Sequence, residues 1–317
     1  MLLGGYAMVV SALDTVPTEA TLNCQGNPSN VSYKFELPDE FNFDRTQVYP
    51  VPGGTKDVDV YIVACDPNGN SDIKTVRAML NWTNNTKTET KTAAVATLGS
   101  SCTSGKQALK NATDAGLLTL AECNEILDTI NIYKLCKLYK ATFTLDNCDT
   151  SGWYHVTATA CDDCGCGCVP ETNSFFYKSI VAVDIDFTKV NYGPISVGNP
   201  QTVPGNSIMQ TPGVALPVLP TVQNIGNDPM DVIISATDMA GSCGGVPVSI
   251  PASAQTAKVD GEPKQALSTT GVCFDTNLMC EMPAPIEFVL TAPAGTCTST
   301  YTGSLTVTGT KTCTTTP

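Results

Sequence analysis

The densest group of reactive side chains in this sequence is a run of four cysteines, Cys161-Asp-Asp-Cys164-Gly-Cys166-Gly-Cys168. As thiolates, these side chains could bind zinc or an iron–sulfur cluster. Their spacing differs from the paired CxxC motifs of zinc knuckles, and the sequence has no CxxCH motif for covalent haem. We therefore predict that the run forms a disulfide knot at a loop tip. Its expected partners are Cys102, Cys136 or Cys148.

The cysteine content of the whole chain also favours disulfides over metal binding. The sequence has 15 cysteines but only one histidine, His155, whereas metal knuckles commonly combine the two residue types. Many disulfides are typical of an oxidising, extracellular compartment, and each contributes about 2–4 kcal/mol. The predicted localisation is therefore extracellular or at the cell surface. The disulfide candidates are Cys24, Cys65, Cys102, Cys123, Cys136, Cys148, Cys161, Cys164, Cys166, Cys168, Cys243, Cys273, Cys280 and Cys297.

An odd number of cysteines means that at least one has no partner within the chain. We predict that this residue is Cys313, because it lies near the C-terminus, where it could stay free or bridge to another chain. Cys273 and Cys280 are expected to flank a hairpin and to pair with each other.

The loop Asp66-Pro-Asn-Gly-Asn-Ser-Asp72 is a candidate calcium site. Oxygen-bearing side chains alternate at Asp66, Asn68, Asn70 and Asp72, and they supply about half of the six to eight oxygens that calcium prefers. No glutamate closes the loop as in an EF-hand. The alternative is a tight turn held by Asx hydrogen bonds. Apart from calcium, we expect no cofactor.

Candidate catalytic residues are few, and we predict that the protein is not an enzyme. His155 lies within an alternating Thr-rich stretch, where a solvated strand residue is expected, and the sequence has no GxSxG elbow. Asp184 and Asp186 could serve a glycosidase, but they also fit the polar positions of an alternating strand. No phosphate-binding loop or dinucleotide fingerprint occurs.

The charge of the chain excludes several classes of partner. The net charge is −13 and the isoelectric point is about 4.4. Nucleic-acid binding requires clustered Lys and Arg, and an anionic membrane surface repels an acidic protein for the same reason. No stretch is long and apolar enough to insert into a membrane.

Four Asn-x-Ser/Thr sequons predict N-linked glycans on the surface of the protein. They begin at Asn30, Asn81, Asn84 and Asn111. All of them lie in the first half of a Cys-rich chain, which agrees with an exported glycoprotein.

The N-terminal segment, residues 1–13, has two open interpretations. It could be the tail of a signal peptide with a cleavage site at Val10-Ser11-Ala12, although a basic region is missing. It could instead be a donor strand that completes the sheet of a neighbouring subunit. The apolar residues of that strand would be Leu2, Leu3, Tyr6, Met8 and Val10.

Alternating apolar and polar residues predict a mainly β protein with two β-sandwiches. The alternation is clear at residues 58–65, 139–145 and 154–161, and it begins again at residue 181. We place the first sandwich at residues 14–178 and the second at residues 179–317. A helical hairpin at about 103–138 interrupts the first, with a helix predicted over residues 119–138 from its apolar period and from the capping box of Thr119 and Glu122. Its cysteines are expected to staple it to the sheet.

Short strand-and-turn patterns occur at residues 58–73 (VDVYIVACDPNGNSDI) and 145–163 in the first half, and at residues 191–198 and 221–227 in the second. These patterns resemble immunoglobulin-like modules of archaeal secreted surface proteins. The resemblance implies that the two sandwiches are immunoglobulin-like β-sandwiches, and that the chain is a surface-layer component, an adhesin, or a subunit of an extracellular filament or sheath.

From these observations we predict a structural subunit that assembles into a homopolymer by strand or edge pairing and is braced by disulfides. The alternative is a monomeric adhesin or surface-layer glycoprotein, and a secreted hydrolase is a distant third.

Overall fold

The computed structural model describes residues 27–40, 46–82, 87–97, 101–103, 108–162, 168–210 and 219–313. The predictions on residues 1–13, Cys24, Asn84, Cys164 and Cys166 lie outside these ranges. Within them the protein is mainly β, as predicted, with two α-helices.

The first sandwich consists of two facing sheets. Its strands are β1 (Asn30–Leu37), β2 (Gln47–Val48), β3 (Thr55–Cys65), β4 (Ile73–Asn81), β5 (Thr88–Thr92), β6 (Ala94–Val95), β7 (Cys136–Asp146), β8 (Gly152–Asp162) and β9 (Val169–Tyr177). One sheet has the order β1-β3-β7-β6 and the other β2-β9-β8-β4-β5. Only β2 is parallel to its neighbour, β9. This order corresponds to strands A-B-E-D facing A′-G-F-C-C′, which is the immunoglobulin arrangement.

The period of two in the sequence places the apolar side chains between these sheets. Val60 and Ile62 of β3 face Phe175 of β9, and all three are fully buried. At the start of β8, the hydroxyl of buried Tyr154 donates to the carbonyl oxygen of Thr150 at 2.7 Å. This bond is the tyrosine corner that often marks strand F of immunoglobulin-like sandwiches.

The helical hairpin lies between β6 and β7 and consists of α1 (Ala108–Asp114) and α2 (Leu120–Asn131). Thr119 and Glu122 form the predicted capping box. The helices cover the outer face of the sheet, where Phe35, Val63 and Leu138 pack against buried Ile126. The hairpin therefore gives the β1-β3-β7 sheet a second apolar layer.

The predicted helix over residues 119–138 is too long. α2 ends at Asn131, and Lys134 turns the chain with a φ of 57°. Cys136 already opposes Cys65 in the β3–β7 ladder. The ladder hydrogen bonds and the disulfide at this pair outweigh the apolar helical period of the sequence.

The second sandwich contains β10 (Val183–Ile185), β11 (Pro200–Val203), β12 (Thr221–Asn224), β13 (Met230–Ala236), β14 (Met239–Cys243), β15 (Val246–Ile250), β16 (Gln255–Val259), β17 (Gln265–Ala266), β18 (Val272–Leu278), β19 (Pro283–Thr291) and β20 (Leu305–Thr310). One sheet has the order β10-β12-β19-β16-β17, with β11 also on β19, and the facing sheet has the order β18-β13-β20. β14 and β15 form a separate hairpin. The A-B-E-D order therefore occurs again, as β10-β12-β19-β16.

The core of the second sandwich is distinct from that of the first. Val232 and Ile234 of β13 pack with Phe274 of β18 and Phe288 of β19. Tyr301 repeats the tyrosine corner just before β20, because its hydroxyl donates to the carbonyl oxygen of Cys297 at 3.0 Å. Residues 191–198, which resemble an opening strand, form no strand here.

Candidate functional site

The two sandwiches meet at a junction that is both covalent and hydrogen-bonded. Cys148, in the turn between β7 and β8, forms a disulfide with Cys280, in the turn between β18 and β19. Buried Asn147 donates to the carbonyl oxygen of Ile225 at 3.4 Å, and the Gly53 amide donates to the same oxygen at 2.9 Å. Backbone atoms of one sandwich therefore bind the other directly.

Asp228 is the centre of a polar cluster at this junction. Its carboxylate accepts from the hydroxyl of Ser151 in the first sandwich at 3.0 Å and from Lys311 after β20 at 2.7 Å. It also accepts from Ser179 in the connecting segment, and Lys311 donates to Ser179. Burial opposes the ionisation of Asp228, but these hydrogen bonds outweigh it and hold the pKa of its carboxyl below the ordinary value. The ionised form is therefore the one that stabilises the junction.

The connecting segment runs along the turn at residues 225–228 like an added strand. The side-chain oxygen of Asn227 accepts from the Ile180 amide at 2.8 Å, and its amide group donates to the Lys178 carbonyl at 2.8 Å. At Gly226 a Cβ atom would lie 2.5 Å from the carbonyl oxygen of Ile180, so only glycine fits. The junction is thus a fixed corner rather than a flexible linker.

Sequence reasoning missed this cluster. Asn227 and Asp228 follow a strand and read as ordinary turn residues. Ser151, Ser179 and Lys311 carry no local signal, since they come together only through the tertiary fold.

Twelve of the cysteines form six disulfides among the described residues. They are Cys65 with Cys136, Cys102 with Cys123, Cys148 with Cys280, Cys161 with Cys168, Cys243 with Cys297, and Cys273 with Cys313. Such a number of bridges is typical of a secreted or surface protein.

Several predicted pairings are wrong. Cys161 pairs with Cys168 across the β8–β9 connection, not with Cys102, Cys136 or Cys148. In the helical hairpin, Cys123 is tied to Cys102 in the segment before α1 rather than to the sheet. Both observed bridges join cysteines that lie closer together in the sequence than the predicted partners do, at separations of 7 and 21 residues.

The predictions for Cys273, Cys280 and Cys313 are also corrected. Cys273 lies in β18 and Cys280 follows the same strand, so an extended chain separates them by roughly 20 Å, too far for a bridge. Cys313 is not unpaired, because the chain after β20 crosses to β18 and brings its Cα within 5.7 Å of that of Cys273. This crossing leads the chain away from the outer edge of β20.

The outer edge of β20 is open among the described residues. β20 pairs only with β13, and the amide of Thr237 donates to the Ser304 carbonyl. Because backbone groups alternate in an antiparallel ladder, those of Leu305, Val307 and Gly309 point outward. The side chains of Leu305 and Val307 are only partly buried. Next to them lies β10, the edge strand of the facing sheet.

The predicted calcium loop forms a tight turn. Asp66 is buried, and its carboxylate accepts from the Asn68 amide and the Ser29 hydroxyl, both at 2.7 Å. Asn70 donates its side-chain amide to the carbonyl oxygen of Cys136, whereas Asp72 is exposed. The carboxylate of Asp66 thus accepts hydrogen bonds from a backbone amide of the turn and from a side-chain hydroxyl. Calcium binding at this loop stays a prediction.

The other candidate chemical groups do not converge. His155 is exposed on β8, Asp184 is exposed on β10, and buried Asp186 accepts from the amides of Thr221 and Gln210. In the described ranges, one group of three side chains has ligand atoms close enough together to hold a metal ion. It consists of Asp146, Cys148 and Glu281. The sulfur of Cys148 is in a disulfide, so it is not a thiolate ligand.

Three sequon asparagines lie in the described ranges, at places a glycan could reach. Asn30 begins β1 and is exposed, Asn111 is exposed on α1, and Asn81 ends β4 and is partly buried. Glycosylation stays a prediction.

No protein-family model matches the chain, and no curated protein matches it. One similar solved structure is the chaperone–tip adhesion subunit pre-assembly complex of archaic chaperone–usher Csu pili of Acinetobacter baumannii. It has 8% identity and a TM-score of 0.33, over 83% of this chain and 96% of that chain. A chaperone–tip adhesin complex of CFA/I fimbriae biogenesis has 9% identity and a TM-score of 0.31, over 90% of this chain and 85% of that chain.

TM-scores of this size do not establish a shared fold. The fold therefore rests on the strand order and tyrosine corners described above, and no comparison bears on an archaeal source. None of the helices in the described ranges is long and apolar enough to span a bilayer.

Proposed function

We propose that this chain is the structural subunit of an extracellular filament or sheath, assembled head to tail by strand pairing. The observation that carries the proposal is the open edge of β20, whose outward backbone groups have no strand partner among the described residues. An unpaired edge with partly exposed apolar side chains is a template for a strand from another chain.

The strand that we assign to this edge is residues 2–10 of a second copy. Tyr6, Met8 and Val10 alternate in that segment, so on a strand they share one face. That face would pack on Leu305 and Val307, while its backbone pairs with β20. One donor segment and one acceptor edge per copy make a heterologous contact, which extends into a filament when the rotation does not close.

The fixed junction supports this role. A filament transmits force through each subunit, and a hinge between the sandwiches would let neighbouring copies reorient. The disulfide at Cys148 and the hydrogen bonds around Asp228 hold the acceptor sandwich rigidly to the first.

The test separates donor from acceptor. A chain that lacks residues 2–10 should accept but not donate, and Val307→Pro should donate but not accept, because proline removes an outward N–H from β20. Each variant alone should stay monomeric in analytical ultracentrifugation, and the mixture should stop at dimers. Val307→Ala is the matched control, since it shortens the side chain but keeps the N–H, and it should still polymerise.

Electron microscopy and N-terminal sequencing of the native material complete the test. Filaments whose subunits retain residues 2–10 are expected. Discrete monomers that begin at residue 13 or later would contradict the proposal and favour the adhesin or surface-layer glycoprotein. Polymerisation of Val307→Pro to the same extent as Val307→Ala would exclude β20 as the acceptor.

A further inference from the structure

Lys34, Glu36 and Asn173 form a buried cluster that the proposed function does not use. Lys34 and Glu36 lie two residues apart on β1 and therefore point to the same side of that strand, and Asn173 lies on β9 of the facing sheet. The side chains of Lys34 and Glu36 are each only 1% exposed. Lysine and glutamate side chains are almost never buried this deeply unless they are paired.

The contacts bring an amine, a carboxamide and a carboxyl group together. The Nζ of Lys34 contacts the side-chain oxygen of Asn173, lies 3.2 Å from Oε1 of Glu36, and donates to the carbonyl oxygen of Val156 at 2.7 Å. The other Glu36 oxygen, Oε2, accepts from Nδ2 of Asn173 at 2.8 Å. Glu36 thus touches both the nitrogen that could attack and the nitrogen that could leave.

We propose that Lys34 and Asn173 join in an intramolecular isopeptide bond, with Glu36 as the proton-transferring catalytic residue. The Lys34 nitrogen attacks Cγ of Asn173, a C–N bond forms, and the bond from Cγ to Nδ2 breaks. Glu36 takes one proton from the Lys34 ammonium, so that the neutral amine can attack, and gives this proton to the leaving Nδ2, which departs as ammonia. Glu36 then takes the second proton from the newly bonded nitrogen and passes it to the ammonia. The lysine ammonium and the carboxamide thus become a secondary amide and an ammonium ion, and Glu36 ends as the carboxylate that it was at the start.

The environment of the cluster favours this reaction. Burial lowers the pKa of the Lys34 amine, although the neighbouring Glu36 opposes the shift, and a desolvated lysine is a better nucleophile. The folded sandwich holds the reacting groups in contact, which replaces an unfavourable encounter in solution. A cleft of about 410 Å³ lined by Glu36, Thr46 and Asn173 gives the released ammonia a path to solvent.

The bond would connect the first and last strands of the first sandwich, which are 139 positions apart in the sequence. Tension applied to β1 would then pass directly to β9 and on to the junction. The core between these strands would carry none of that load. The cross-link is thus suited to a chain that is pulled from both ends, but it does not depend on filament assembly.

Mass spectrometry of the full chain tests the proposal. After reduction, alkylation and removal of glycans, the protein should be lighter by one ammonia than the mass calculated for its fully alkylated sequence. Protease digestion should yield a branched peptide that contains Lys34 and Asn173. A succinimide at Asn68-Gly69 would lose the same mass, so fragmentation must place the loss on the branched peptide.

Glu36→Gln keeps the size of the side chain but cannot transfer the proton, and we expect it to restore the full mass and unlinked peptides. Lys140→Arg is the matched control, because Lys140 pairs with Asp59 on the surface, and it should keep the cross-link. Recovery of Lys34 and Asn173 in separate, unmodified peptides from the wild-type protein would overturn the proposal, whether or not Glu36→Gln folds. Full cross-linking of Glu36→Gln would remove Glu36 from the mechanism.

Discussion

The two sandwiches share the A-B-E-D order of one sheet but differ where their first and last strands meet. In the first, β9 pairs with β8 and completes the sheet, and Lys34 of β1 reaches Asn173 of β9. In the second, β20 takes the position of β8, and no described strand lies on its outer side. The apolar side chains of Leu305 and Val307 lie on β20, at this open edge.

The first sandwich is therefore closed at this edge, and the second is open. A closed sandwich satisfies its edge with its own last strand, and the charged cluster is suited to locking that strand in place. An open sandwich leaves backbone donors and acceptors for another chain. Under the proposed function, the first sandwich would bear load and the second would extend the polymer.

Removal of the junction disulfide should have the largest effect on the stability of the two joined sandwiches. The bridge from Cys148 to Cys280 closes 132 residues, whereas the bridge from Cys161 to Cys168 closes 7. By the chain-entropy relation, the long loop should stabilise the protein by roughly 2–3 kcal/mol more than the short one. Replacing each pair by serines should therefore lower the free energy of unfolding in that order, as measured by denaturant titration.

Equal losses for the two serine variants would show that the junction bridge constrains nothing beyond its local turn. The two sandwiches would then be independent bodies, and load on the first sandwich would not pass through the bridge to the second.

Removing the hydroxyl of each tyrosine corner should cause a smaller loss of stability, which can be compared between the two sandwiches. Tyr154 is fully buried, so Tyr154→Phe leaves the Thr150 carbonyl without its donor and should cost about 1–2 kcal/mol. Tyr301 is partly exposed, and water can replace its hydroxyl at the Cys297 carbonyl, so Tyr301→Phe should cost under about 1 kcal/mol. Hydrogen exchange localised to each sandwich would check both values. The reverse order would mean that the second sandwich is the more tightly closed.

The sequence predicted those features that depend on nearby residues. The strands β3, β7 and β8 follow from strict alternation, because one face of each packs in the core. The start of α2 follows from Thr119 and Glu122, which lie three positions apart.

Features that depend on distant residues could not be predicted. The bridge from Cys148 to Cys280, the Asp228 cluster and the contact of Lys34 with Asn173 all require the finished fold. The one local hint was a lysine and a glutamate at alternate positions of β1. In an exposed strand the same pattern reads as a solvated face.

The pH dependence of the junction is the smallest expected effect. Hydrogen bonds from Lys311, Ser179 and Ser151 outweigh burial and depress the pKa of Asp228. A carboxyl of this kind adds stability that is fully present above its unfolded pKa of about 3.9, and that stability is lost as the pH falls through the lower folded value. Lys311 is more than half exposed, so solvent screens the pair and limits the gain. The difference in unfolding midpoint between wild type and Asp228→Asn should therefore be present at neutral pH and shrink below about pH 4. A difference that stays constant across this range would show that Asp228 joins the sandwiches through its shape and neutral hydrogen bonds, and not through its charge.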